Sequence, residues 1–318
     1  MIYQNSVAEP RQEINDVIME SVTTDEMFVG LKIFPPAPLK LLQAHVPKIN
    51  IAIGDLMRGT AGVRKPGAAF ARWQSGITDH SITMLQTPEE LLIPDEEMMT
   101  YEDFFALEQV YSKEATNRLR RFTEVAIAAV VQNTANWTNA NSSVAYTNAN
   151  LATMTPSQDF ILGIRAVKAA GQLPNTIVIP GQVYDRIRVC ADMKSWIAGS
   201  INPGARVTAN NIQASFSDMG IKQVLVADGY VNTSEQELNA SIVQIWNNLE
   251  VWIGEAQPGQ LLSGGAGRTW FWEKEGPLFN IQTYRDETRK SNVIRAITTQ
   301  LPDIINARCG YLVNTQYS

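Results

Sequence analysis

Residues 101–131 read YEDFFALEQVYSKEATNRLRRFTEVAIAAVV, and this stretch predicts the longest element of the fold. Its apolar residues recur at intervals of three or four, which is the spacing of one face of an α-helix. These residues are Phe104, Leu107, Tyr111, Ala115, Leu119, Phe122, Ala126 and Val130. At the usual rise, a helix of about 30 residues is about 45 Å long, more than a compact domain of this size needs. We therefore expect a long amphipathic helix that braces an extended structure.

Upstream of this helix, residues 49–95 predict a long hairpin. Segments 49–53 and 81–84 alternate in polarity as strands do, and the Gly- and Arg-rich segment between them is typical of a turn region. An isolated two-stranded hairpin is marginally stable in water. We therefore expect this one to lie against another surface, such as a neighbouring subunit.

Two patches of opposite charge accompany the hairpin. The basic patch comprises Arg58, Arg64, Lys65 and Arg72, opposed by Asp55 alone. The acidic patch that follows comprises Glu89, Glu90, Asp95, Glu96 and Glu97. Because opposite charges attract across an interface, these residues are candidates for contacts between subunits, together with Arg285 and Arg289 in a later charged segment.

Downstream of residue 157 the sequence predicts a compact α+β region. Helices are expected at 158–170, 180–192 and 209–219, and strands at 176–179, 223–227, 241–246 and 249–253. Further strands are expected at 269–272, 280–284 and 291–299.

Composition excludes several classes of protein. With 45% hydrophobic residues, the 318-residue chain can bury about two domains' worth of core, so it is not intrinsically disordered. Its 26 Lys and Arg against 32 Asp and Glu give a net charge of −6, which argues against nucleic-acid binding over the whole surface. Two cysteines, Cys190 and Cys309, are too few for a disulfide framework or a zinc site. The longest apolar run, 125–131, is far short of the ~20 residues that span a bilayer, and no secretory signal opens the chain.

The sequence offers little material for catalysis. Of its two histidines, His45 lies among apolar residues, which is typical of a structural, hydrogen-bonded role. His80 stands between Asp79 and Ser81, but neighbours in an extended segment point to opposite faces and do not form a triad. The Gly-rich run 263–269 lacks the last glycine of a dinucleotide motif, and the acidic patch lacks the pattern of a calcium loop. We expect no catalytic residue, no cofactor and no metal.

The order of these elements resembles that of tailed-bacteriophage major capsid proteins. Specific stretches support the resemblance: ARWQSGITDHS at 71–81, IPDEE at 93–97, NTIVIP at 175–180 and YRDETRKS at 284–291. The resemblance covers most of the chain from about residue 40 and implies the α+β fold of the Hong Kong 97 phage capsid protein. It assigns residues 1–48 to an N-terminal arm and 49–95 to an extended loop that lies over the adjacent subunit. It assigns 96–156 and 268–318 to a peripheral domain with a spine helix, and 157–267 to an axial domain.

The resemblance also implies a structural function in the virion. Many copies would form hexamers and pentamers that close into an icosahedral shell around double-stranded DNA, after assembly in the host cytoplasm. The implied partners are further copies of the chain, a portal protein, a separate scaffolding protein, decoration proteins and DNA bound without sequence specificity. In some relatives a loop lysine bonds covalently to an asparagine of a neighbour; Lys65 lies in that region, although an exposed salt-bridging lysine is the simpler interpretation. Two alternatives stay open: an encapsulin-like shell around cargo enzymes, and a hydrolase that uses His80.

Overall fold

The computed structural model describes residues 9–10, 28–50, 76–101, 107–200, 206–234, 239–256 and 265–317. Its strands are β1 Glu9–Pro10, β2 Pro36–Leu39, β3 Gln43–Asn50, β4 Gly76–Thr83, β5 Leu85–Pro94, β6 Thr138–Asn141, β7 Thr176–Pro180, β8 Gln223–Ala227, β9 Tyr230–Asn232, β10 Ile242–Gln244, β11 Glu250–Gly254, β12 Gly267–Trp272, β13 Asn280–Asp286, β14 Ser291–Ile304 and β15 Gly310–Asn314. Its α-helices are α1 Gly30–Ile33, α2 Asp95–Tyr101, α3 Leu107–Val131, α4 Pro156–Ala169, α5 Gly181–Val189, α6 Ala191–Ser200 and α7 Ala209–Ser215.

The larger sheet is organised around β14, which runs for 14 residues. β13 and then β12 pair antiparallel along one edge of β14. Along the other edge, all of β5 pairs antiparallel with residues 291–300 of β14. β2 extends the sheet beyond β12 in parallel, and β1 pairs with β13. The long helix packs on one face of this mixed sheet.

The long helix predicted from the apolar spacing is present as α3, a helix of 25 residues. Its first half packs on the larger sheet through Leu107, Ala115 and Leu119, which meet apolar residues of β5, β13 and β14. The prediction was wrong for Phe122: the spacing places this residue on the buried face, but 47% of it is exposed. The buried face rotates in the second half to Ile127 and Val131, which pack on a different set of elements. Residues 102–106 lie outside the described part of the chain.

A second sheet forms the core of what we call the α+β block, together with α4, α5, α6 and α7. Its strand order is β6-β15-β11-β7-β8, with β7 and β11 buried along their whole length. Helices α4 to α7 supply side chains to one core, in which Phe160 and Phe216 pack edge to face at 6.0 Å. The predicted helix 180–192 is two helices here, because Cys190 between α5 and α6 has an extended ψ of 150°.

Strand pairing crosses the boundaries that the sequence suggested. β6 and β15 belong to the α+β block, although the sequence-based division places them in the peripheral ranges 96–156 and 268–318. β5 pairs with β14, although that division places it in the extended loop. Partners in a sheet are set by non-local pairing, which a pass along the chain does not reveal. The division into functional domains remains a prediction.

The hairpin stem consists of β3 and β4, which pair antiparallel from Gln43 with Thr83 to Asn50 with Gly76. The stem therefore begins closer to the N-terminus than the predicted strand at 49–53, and residues 51–75 lie outside the described part. Among the described strands, β3 and β4 pair only with each other. The base of the stem rests on a small apolar cluster with Trp270 of β12. The stem thus adds no strand to either of the other two sheets, although its base packs on the larger one.

Candidate assembly surface

The acidic patch lies at the edge of the larger sheet, along β5 and the start of α2. Because side chains alternate along a strand, successive acids of β5 point to opposite faces. Glu89 faces α3, where its carboxylate lies 3.8 Å from the guanidinium of Arg118. Glu90 faces the other side, where its carboxylate is 2.5 Å from Nε of Arg295 on β14. The patch therefore joins its own strand to two neighbouring elements.

Asp95 makes the best-formed ion pair of the patch. Arg285 on β13 donates two parallel hydrogen bonds to its carboxylate, at 2.6 and 2.7 Å. This fork geometry is typical of strong arginine–carboxylate pairs. The hydrogen bond from Arg285 holds the pKa of the Asp95 carboxyl below its ordinary value, and Asp95 in turn raises the pKa of Arg285. Asp95 also begins α2, where a negative charge suits the helix dipole.

Two further contacts complete the network around the patch. The guanidinium of Arg295 lies 4.8 Å from the ring centroid of Tyr284, and the hydrogen bond to Glu90 raises the pKa of that arginine. Glu97 of α2 accepts a hydrogen bond from the hydroxyl of Tyr111 at 2.9 Å, which ties α2 to α3. These contacts hold β5, α2, α3, β13 and β14 together within one chain.

The structure thus gives four of the five predicted acids, Glu89, Glu90, Asp95 and Glu97, partners inside their own chain. Glu96 is exposed, and within the described ranges its carboxylate makes no hydrogen bond or ion pair. Arg289 is also exposed, at 67% of its side chain, and lies 4.0 Å from Asp286. The basic patch of Arg58, Arg64, Lys65 and Arg72 lies outside the described residues. Contacts between subunits remain a prediction for all of these residues.

A buried carboxylate on α3, that of Glu124, forms a junction that the sequence did not indicate. It accepts hydrogen bonds from the backbone N–H groups of Val29 and Gly30, at 2.8 to 3.0 Å, where the chain enters α1. The carboxylate also accepts a hydrogen bond of 2.7 Å from Nε1 of Trp246, a residue that follows β10. Gly30 suits this approach, because a Cβ there would lie 2.6 Å from the carboxylate. One side chain therefore links the N-terminal segment, the long helix and the α+β block.

The electrostatics of Glu124 follow from its burial, since only 2% of the residue is exposed. Loss of hydration raises the pKa of its carboxyl, and the N–H donors and the nearby charge of Arg120 oppose that rise. The periodicity of α3 carries no signal for this junction, because its donors lie 94 to 122 residues away in the sequence.

In the part of the chain that the structure describes, each of the two histidines contacts an aspartate. His45 contacts Asp79 at 2.9 Å, and both side chains are largely exposed, so the expected hydrogen bond exists at the surface. His80 faces the other side of the stem and lies 3.2 Å from the Asp303 carboxylate of β14. The prediction that Asp79 and His80 point to opposite faces is confirmed.

The Gly-rich run and the two cysteines have structural explanations. Gly265 adopts φ 97°, a left-handed conformation that favours glycine, and the segment leads into β12, where Trp270 is fully buried. Burial raises the pKa of the Cys309 thiol to about 12 and raises that of Cys190, so neither is an activated nucleophile at neutral pH. Within the described ranges no cluster of three His, Cys, Asp or Glu residues is placed to hold a metal ion. Among the described helices, none is long and apolar enough to cross a membrane.

Comparison with known proteins gives a consistent answer at the level of the fold. No family model and no curated protein sequence matches the chain. The structure is similar to a phage-related protein from Bordetella bronchiseptica, with a TM-score of 0.74 and 14% identity over 98% of both chains. It is also similar to the virus-like particle from Pyrococcus furiosus, with a TM-score of 0.58 and 9% identity over 95% of this chain and 98% of that one. It is similar, too, to the capsid of cyanophage P-SCSP1u, with a TM-score of 0.57 and 9% identity over 92% of this chain and 89% of that one.

These likenesses span nearly the whole chain, and the described elements follow the order that the resemblance implied. The long helix lies on a sheet, the α+β block follows it, and a separate hairpin stem precedes it. The chain has the α+β fold of tailed-phage major capsid proteins, the Hong Kong 97 type.

Proposed function

We propose that this chain is the major capsid protein of a tailed bacteriophage. In this proposal, hexamers and pentamers of the chain close into an icosahedral shell that encloses double-stranded DNA. The observation that carries the proposal is the likeness to the capsid of cyanophage P-SCSP1u and to the virus-like particle from Pyrococcus furiosus, each over more than nine-tenths of the chain. A protein of net charge −6 suits a shell whose DNA must move in and out, because weak phosphate binding does not oppose that movement.

The architecture supports assembly through the hairpin. The stem pairs with no other described strand, and a hairpin of this kind gains stability when it lies on another surface. The basic residues of the loop, Arg58, Arg64, Lys65 and Arg72, then meet acidic residues of a neighbouring copy. Glu96 is the acid best placed for such a contact, because the other four have partners within their own chain.

The proposal extends to partners and location. A portal protein, a separate scaffolding protein and decoration proteins act with the shell, and DNA is packaged without sequence specificity. The subunits assemble in the host cytoplasm and end in the virion. No catalytic role is proposed.

A second candidate is an encapsulin-like shell that encloses cargo enzymes. It is favoured by the similarity to the virus-like particle from Pyrococcus furiosus, whose TM-score is close to that of the cyanophage capsid. The neighbours of the gene discriminate between the two: a terminase and a portal gene support the phage capsid, and a small oxidative enzyme supports the compartment.

The experiment is negative-stain electron microscopy of the chain expressed alone, and then with scaffolding and portal proteins. Polyhedral shells or hexameric rings support the proposal, and a persistent monomer or dimer in both preparations contradicts it. The charge reversals Arg64→Glu and Arg72→Glu should lower the yield of shells while the subunit stays folded. Lys222→Glu, an exposed position outside the hairpin, is the control. Normal yields from both hairpin variants would argue against contacts made by the loop.

A further inference from the structure

Both histidines of the chain lie in the hairpin stem, and each faces an aspartate. His45 and Asp79 meet on the exposed face of the stem, within the hairpin itself. His80 and Asp303 meet on the other face, which turns towards β14 of the larger sheet. Only the second pair therefore connects the hairpin to the body of the subunit.

The surroundings of His80 show how this pair acts on the stem. His80 lies opposite Val46 in the ladder of β3 and β4, and Val46 and Ile82 on the same face pack into the cluster around Trp270. This cluster is small, and the stem has no backbone pairing with the larger sheet. β4 continues through Met84 into β5 of the larger sheet, so the orientation of the stem depends on the backbone at Met84 and on a few side-chain contacts at the base, of which the contact between His80 and Asp303 is one.

The charge of this contact depends on pH, because an imidazole gains a proton within the range from pH 8 to pH 5. In the neutral form His80 makes a hydrogen bond to Asp303, and in the protonated form it makes a charged pair, which is stronger. The other charged groups on the packed elements are Arg268, opposite Asp303 in the ladder of β12 and β14, and Asp79 and His45 on the far face of the stem. Lys48 lies two residues beyond Val46 on β3.

We propose that His80 and Asp303 form a proton-controlled latch that sets the angle between the hairpin and the body of the subunit. The protonated imidazole holds β4 against β14, and its deprotonation releases the stem to a wider range of angles. The latch is a property of the single subunit. Its consequence for assembly rests on the proposed function: acid favours one hairpin orientation, and therefore one arrangement of neighbouring subunits, over the others.

The latch is tested by measuring distances between two spin labels by double electron–electron resonance, at about pH 5.5 and about pH 8. One label replaces Asn50 at the far end of the stem, and the other replaces Lys113, an exposed residue of α3. The native thiols Cys190 and Cys309 are fully buried and leave the engineered sites as the reactive ones. Labelled chains are diluted with unlabelled chains, so that only distances within a subunit are recorded.

In the unmodified chain we expect one narrow distance distribution at the lower pH. The share of that distance relative to the others should fall roughly twofold to fivefold at the higher pH, the range expected for a partly exposed ion pair. His80→Gln should show the same distribution at both pH values, close to that of the unmodified chain at the higher pH. His45→Gln removes a pair of the same type on the opposite face, and it should leave the pH response intact.

Three results would overturn the latch: an unmodified chain without a pH response, a His80→Gln variant that keeps the response, or a His45→Gln variant that loses it. Shell formation is scored separately by microscopy of the same preparations. Shells without a pH response refute the latch and leave the proposed function standing. A pH response without shells, even with scaffolding and portal proteins present, supports the latch and refutes the proposed function.

Discussion

The α+β block and the hairpin stem bury their apolar residues in different ways. The block closes around its own core, with β7 and β11 buried on both faces and helices α4 to α7 around them. Among the residues whose burial is described, the stem meets a core only at its base, where Val46, Ile82 and the following Met84 contact Ala37 and Trp270. The block therefore has a core of its own, whereas the stem has to find its remaining contacts elsewhere. Under the proposed function, this difference separates the part that keeps its shape from the part that binds neighbours.

The largest expected effect comes from opening the core of the block. Phe160→Ala removes a fully buried ring that packs against Phe216, and it should lower the free energy of unfolding by about 3–5 kcal/mol. Urea titration of unassembled chain measures the loss. Phe122→Ala is the matched control, because Phe122 is 47% exposed on α3 and should cost far less. Equal losses would mean that the block is not the stable part of the chain.

The next effect tests the junction between the block and the long helix. Glu124→Ala leaves the N–H groups of Val29, Gly30 and Trp246 without their acceptor, which should cost roughly 3 kcal/mol. Urea titration near neutral pH measures this loss. If the loss is below about 1 kcal/mol, water replaces the carboxylate and the junction is weak.

Glu124 should also give the chain a distinctive pH dependence. Because burial raises the pKa of its carboxyl, the folded state holds the proton more tightly than the unfolded state does. The associated stability is present below the ordinary glutamate pKa and is lost as pH rises through the raised value. Glu124→Gln cannot titrate, so the stability difference between the unmodified chain and this variant should shrink as pH rises. A constant difference from about pH 4 to about pH 8 would contradict the raised pKa.

A smaller and more local effect is expected at the base of the stem. Ile82→Ala empties a fully buried position in the small cluster. Hydrogen exchange should accelerate in 43–50 and 76–83, while the block keeps its protection, because the two regions share no core. Leu85→Ala, at a side chain that is 70% exposed, should change neither. Faster exchange throughout the block would mean that stem and block unfold as one unit.

The smallest effect is expected at the surface pair of Asp95 and Arg285. Asp95→Asn should lower the melting temperature slightly at neutral pH. The hydrogen bond from Arg285 lowers the pKa of Asp95, so the stabilisation exists above the ordinary aspartate pKa and is lost as pH falls through the lowered value. The difference in melting temperature should therefore vanish in acid. Glu287→Gln, at the more exposed partner of Arg285, is the comparison and should have less effect at neutral pH.

Sequence reasoning succeeded where the signal is local. The apolar period of α3 and the short apolar strand β7 between turn residues were both readable, whereas the fold was inferred from the resemblance to a known family that the order of elements and the quoted stretches carry. The same reasoning ended this strand at residue 299 and missed residues 300–304 of β14, because Gln300 is polar, although buried, and Pro302 interrupts the pattern. Burial there comes from strands far away in the chain.

The acidic patch shows the same limit at the candidate site. Its charge was plain in the sequence, but its partners Arg285 and Arg295 lie about 190 and 205 residues later, and only the pairing of β5, β13 and β14 brings them alongside. Glu124 was missed for the opposite reason: a single acid on a mostly apolar face carries no pattern, and its donors are backbone groups and an indole.

The placement of β14 and β15 has a consequence for how the chain folds during translation. β14 is the central strand of the larger sheet, and β15 lies between β6 and β11 in the other, yet both come after every strand with which they pair. The larger sheet cannot close until residue 304 has left the ribosome, and the other sheet until residue 314 has, on the order of 10 s after β7 is made at usual elongation rates. Nascent chains on one messenger therefore lack a finished surface for contacting one another. The edges of β11 and β12 that later pair with β15 and β14 stay unpaired during that time, so incomplete subunits are exposed to aggregation until the last strands arrive.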